Sequence, residues 1–149
     1  MTVRVIDLPG HTHCSVGFFL EEHKLLLGTE TLGGYFGQGN YCPSFLVSYE
    51  KTLESFDRAA ELNPEHVMIP HYGVVHGEDV KNYLKDSKAA TVATAEKVIE
   101  IFRNGGTEED ALSHFRYVVY NETIASVYPL DAFMLNSGIM VKLIQKELL

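Results

Sequence analysis

Basic residues are scarce in this chain: 12 Lys and Arg stand against 20 Asp and Glu among 149 residues, a formal charge of −8. No Lys/Arg run is longer than a dipeptide. The surface therefore lacks the positive footprint that a polyanion needs, and no nucleic-acid partner is expected. Cysteine is equally sparse. Cys14 and Cys42 lie far apart without a Cys-x-x-Cys pair, and the opening Thr2-Val3-Arg4-Val5-Ile6 reads as polar and strand-like rather than as a secretory leader. A reducing, cytoplasmic setting is the expectation. Long apolar runs are absent too: Val16 to Leu20 falls far below the ~20 residues of a membrane span, so a soluble protein with no membrane partner is expected. No internal repeat, low-complexity tract or clear linker divides the chain.

What is present suffices for one compact domain, with 46% hydrophobic residues to build a core. Val3 to Ile6, Val16 to Leu20 and Lys24 to Leu27 are apolar runs with turn residues between them. They predict three short strands, the last two forming a hairpin. The Gly-rich stretch from Gly33 to Asn40 predicts a loop lying over a site. Pro43 and Ser44 open a helical pattern through Leu46, Tyr49, Leu53, Phe56 and Ala60, which ends near Asn63-Pro64. His66 to Ile69 predicts a fourth strand, and the order strand, helix, strand predicts a crossover within one sheet. From Glu78 onward the apolar spacing is helical. One helix runs to Asn104-Gly105-Gly106, a second begins at Thr107 with Asp110 in a capping arrangement and continues to about Val119, and a third is capped by Asp131.

Three positions place a potential ligand just past a strand end, where a rigid edge feeds a loop: His11 after Pro9-Gly10, Glu30 after Gly28-Thr29, and His71 after Pro70. Two imidazoles and a carboxylate suit zinc, iron or manganese better than calcium. Taken singly, each has a plainer reading, as a surface histidine beside a turn or as a solvated glutamate. His13, His23, His66, His76 and His114 are expected in surface or hydrogen-bonding roles, although His76 shares one short loop with His71. Cys14 and Cys42 are expected as buried small hydrophobes. Tyr35, Tyr41 and Tyr72 are expected to pack, with hydrogen bonding to a substrate as the alternative.

The stretch Val5-Ile6-Asp7-Leu8-Pro9-Gly10-His11-Thr12, followed by Ser15 to Phe19 and Leu25-Leu26-Leu27-Gly28, resembles the third motif of the metallo-β-lactamase superfamily and the hairpin after it. Val67-Met68-Ile69-Pro70-His71-Tyr72-Gly73 resembles that family's last motif. The resemblance implies that His11 faces one metal ion, Glu30 takes the bridging place usually held by Asp, and His71 binds the other. Zinc is the expected metal, with iron or manganese as alternatives. The resemblance implies an α/β fold, half of an αββα sandwich, in residues 1–77: a small mixed sheet with a crossover helix. A helical extension in residues 78–149 packs on it. The family's His-x-His-x-Asp-His motif does not occur; His11-Thr12-His13 imitates its start but continues as Cys14-Ser15-Val16.

A metal-dependent hydrolase acting on a small-molecule ester, thioester, amide or phosphoester is the implied activity of an intact enzyme. This chain alone is expected to be weakly active or inactive. The alternative is a non-catalytic interaction module derived from the same fold. Strands Val16 to Leu20 and Leu25 to Leu27 are apolar on both faces, so the sheet needs cover on both sides. One face takes the first helix. The other must meet the helical tail, a second copy in a homodimer, or an N-terminal half supplied from elsewhere.

Overall fold

A computed structural model describes residues 1–149. In chain order the elements are β1 (Val3–Asp7), β2 (Val16–Leu20), β3 (Leu25–Leu27), β4 (Gly34–Tyr35), β5 (Tyr41–Cys42), α1 (Tyr49–Glu61), β6 (His66–Ile69), β7 (Gly73–His76), α2 (Glu78–Arg103), α3 (Glu108–His114), α4 (Glu122–Ala125) and α5 (Leu130–Leu148). Five strands make the main sheet in the order β1-β2-β3-β6-β7. All neighbours are antiparallel except β3 and β6, which run parallel because α1 carries the chain back between them.

The four expected strands and the crossover are present, and β2 and β3 pair as a hairpin. Two short pairings were not expected. The Gly-rich stretch closes as the small β4–β5 hairpin, its turn held by positive φ at Gly37, Gln38 and Gly39. The segment after His71, read as a loop, pairs back onto β6 as β7.

Helix α1 also starts later than Pro43-Ser44 suggests. Ser48 is extended and caps the helix by accepting from the Lys51 N–H, while the N–H groups of Leu46, Val47 and Ser48 all donate to the Gly10 carbonyl. Those donors are spent on the turn before His11 instead of on a helical ladder. The capping box at Thr107 and Asp110 is formed, but α3 ends at His114 and gives way to a π turn over Phe115–Val119. Asp131 caps nothing: it lies in the first turn of α5, whose N-cap is Pro129.

One face of the sheet carries Phe19, Leu26, Val67, Ile69 and Val75 into a core shared with Phe56 and Ala59 of α1 and Val80, Tyr83 and Leu84 of α2. A second core joins α2, α3 and α5 through Val98, Ala111, Phe133, Met140, Val141 and Ile144, and receives Cys42 and Phe45. Helix α2 thus spans both cores. The opposite face of the sheet is left open. Strand register aligns Val5, Phe18, Leu27, Met68 and Val74 in one row across it, with Val5 61%, Phe18 41% and Val74 44% exposed. The helical tail does not cover this face, because it packs on the side already occupied by α1.

Candidate functional site

The turn before His11 is built from close contacts. Gly10 has φ +143°, and a Cβ there meets the Thr52 side chain at 2.0 Å, so only glycine lets α1 approach. The His11 N–H donates to Thr31 Oγ1 at 3.2 Å, and its ring Nδ1 lies 3.0 Å from the Ser44 carbonyl and 2.8 Å from Ser44 Oγ. A carbonyl only accepts, so Nδ1 carries the proton. The lone pair is thereby left on Nε2, the arrangement in which a backbone oxygen orients a metal-binding imidazole.

Glu30 is fixed by a different route. Gly28 N–H donates to the Met68 carbonyl, extending the β3–β6 pairing by one bond. Thr29 then caps a single 3-10 turn over Glu30–Leu32 by accepting from the Thr31 N–H. The carboxylate is carried beside the end of β6. There Tyr72 N–H donates to the Ile69 carbonyl across a turn with Pro70 at its second position and His71, at φ +65°, at its third. Proline followed by a positive φ is the pattern of a type II turn. His71 Nε2 sits 3.5 Å from Glu30 Oε1, with both side chains partly open to water.

All three residues line one cleft of about 330 Å³. The helical extension lines it as well, through Val127, Tyr128, Pro129 and Asn136, as do Gly34 and Phe36 of the Gly-rich stretch. The structure brings Glu30 and His71 to within 3.5 Å, and His11 lines the same cleft. No group of three or more His, Cys, Asp or Glu side chains converges as a metal shell. The donors present are of the type that suits a zinc-like ion, but too few meet at one point to hold it tightly.

Sequence reasoning missed Ser44, Tyr128 and Asn136. Pro43-Ser44 looked like a helix start, and nothing local in Tyr128 or Asn136 signals that this segment lines the cleft. Cys42 is buried as expected, and burial pushes its thiol up to about 12. Cys14, expected to be buried, is exposed, because the turn after His11 faces outward. Tyr35 stacks on Tyr41 with ring centroids 5.0 Å apart and meets the edge of Tyr72 at 4.7 Å, so these rings pack against one another. Tyr83, fully buried, donates to the Leu32 and Gly33 carbonyls behind the Glu30 turn, and burial raises its hydroxyl well above the ordinary tyrosine range.

No protein-family model and no curated protein matches the chain. Solved structures do. A metallo-β-lactamase family protein from Thermus thermophilus superposes with a TM-score of 0.64 at 21% identity, covering 97% of this chain and 44% of its own. An archaeal metallo-β-lactamase superfamily protein from Sulfolobus tokodaii superposes with a TM-score of 0.54 at 18% identity, over 97% and 46%. The chain has part of the metallo-β-lactamase fold, helical extension included, and spans under half the length of these two structures.

Proposed function

We propose that this chain carries the C-terminal share of a metal-dependent hydrolase site, with His11 Nε2, Glu30 and His71 as its ligands. The observation that supports this most is the shared cleft: three residues separated in sequence, each just past a strand end, line it together. Zinc is the metal that the donor set suits best, with iron or manganese as alternatives. Such an ion, when held, lowers the pKa of a bound water and polarises the bond to be cleaved, in an ester, thioester, amide or phosphoester of a small-molecule substrate. The chain's own contribution is to hold the His11 tautomer through Ser44, to place Glu30 against His71, and to wall the cleft with the helical extension.

Fewer than three donors meet at one point, so the site needs further ligands from residues outside these 149, on a longer form of the chain or on a partner. The open sheet face is where such a segment packs, with a second copy of the chain as the other occupant. By itself the chain is weakly active or inactive. A non-catalytic interaction module is the second reading, favoured by the same open face and the sparse donor set.

Elemental mass spectrometry after equilibration with micromolar zinc tests the site. Zinc bound to the wild type and lost in both His11→Ala and His71→Ala is the expected result. Equal zinc in all three proteins removes the cleft as the metal site and leaves the interaction module.

A further inference from the structure

His66 and His76 lie outside the cleft and are used by nothing described so far. They face each other across β6 and β7 as register partners. Because the Gly77 N–H donates to the Glu65 carbonyl at the adjacent position, the two histidines occupy a non-hydrogen-bonded pair, where opposing side chains stand closest. Their Nδ1 atoms are 2.7 Å apart, and the rings cross at 73° with centroids 4.9 Å apart. Both rings stand on the open face of the sheet, in a row with Val3, Leu20 and Leu25. Three residues of β6, about 10 Å of strand, separate them from the turn that bears His71.

Two imidazole nitrogens that share a proton can share a divalent cation in its place, and each metal geometry needs a different N–N spacing. Two metal–nitrogen bonds of about 2.0 Å at a right angle put the nitrogens about 2.8 Å apart, whereas a tetrahedral angle needs about 3.3 Å. The spacing of 2.7 Å is that of a proton shared between the rings, and little movement of the two side chains would bring the nitrogens to neighbouring positions of a tetragonal ion. We propose that His66 and His76 form a two-nitrogen site for copper(II) or nickel(II), distinct from the cleft, with water in the remaining positions. In the free protein one Nδ1 carries the proton shared between the rings. On binding, that neutral imidazole moves its proton to Nε2, so both Nδ1 lone pairs reach the metal and the two rings remain uncharged. The acidic balance of the chain, −8, favours a cation here, and the adjacent Glu65 is already engaged by Lys24 at 2.6 Å.

The test is a copper(II) titration of the full chain carrying His11→Ala and His71→Ala, followed by electron paramagnetic resonance and far-ultraviolet circular dichroism. One copper per chain with hyperfine coupling to two nitrogens is expected. Adding His76→Gln, an exposed change at a strand end, lowers the affinity at least tenfold while the dichroism stays the same; His66→Gln does likewise. Copper affinity within twofold of the parent in a folded His76→Gln protein, or no coupling to two nitrogens, overturns the assignment.

Discussion

At the residue scale, His11, Glu30 and His71, which line one cleft, stand out in the sequence because each follows a strand and a turn-forming residue, a local signal. Their partners do not. Ser44 reaches His11 across 33 positions, and the His66–His76 pair exists only through the register of β7, a strand that the sequence after Pro70 does not announce. His71 shows the tension between site and backbone: it sits at φ +65°, a conformation that costs a non-glycine residue about 1 kcal/mol or more. His71→Gly is therefore expected to leave thermal stability unchanged or raised, within about 1 kcal/mol, while abolishing zinc binding in the cleft; a marked loss of stability shows that the imidazole holds the turn instead. Gly10→Ala is expected to destabilise by about 3 kcal/mol in urea unfolding, since it adds strain at φ +143° to a clash with Thr52. The cysteines differ in the same local way. Cys14, exposed, is expected to react at once with a thiol reagent in the native protein, and Cys42, buried and pushed up to about 12, only after denaturation.

At the scale of elements, periodicity located β1, β2, β3 and β6 and the long helices, since both periods survive in a single sequence. Element ends were harder to read, because they depend on what competes for the terminal N–H groups. The Gly10 carbonyl takes three donors that would have lengthened α1, and that competition is tertiary. Where the competition is local, the sequence sufficed: Thr107 accepts from Asp110 N–H, and the Asp110 carboxylate accepts from Thr107 N–H. Thr107→Ala is expected to cost about 1 kcal/mol. Hydrogen bonds from the Thr107 backbone and side chain hold the Asp110 carboxyl below the usual carboxylate range. Its contribution is present above the unfolded value of about 3.9 and fades as pH falls through the lower folded value. The stability difference between wild type and Asp110→Asn is therefore expected to shrink in acid, and a difference independent of pH rules that contribution out.

At the scale of the molecule, the sheet is finished on one side only. The sequence implied that two apolar faces need cover, but not which one the tail would take, because amphipathic helices carry no address. The tail joins α1, and the row from Val5 to Val74 remains open. Apolar surface of this kind is seldom left in water, so the chain is expected to associate. Sedimentation at tens of micromolar is expected to show a dimer for the wild type and a monomer for Phe18→Glu, with the stability of the folded chain changed by less than about 1 kcal/mol. Monomers in both cases leave the face free for a different polypeptide.

The most direct measurement of the central claim is the zinc affinity of the chain by competition with a chromophoric chelator, made in a His76→Gln background so that only the cleft is read. A partial site predicts a dissociation constant in the micromolar range, about 8 kcal/mol of binding rather than the ~10–16 kcal/mol of a complete structural shell, weakened at least tenfold further by His71→Ala. A sub-nanomolar constant contradicts the incompleteness of the site. An affinity that His71→Ala leaves unchanged contradicts the site itself.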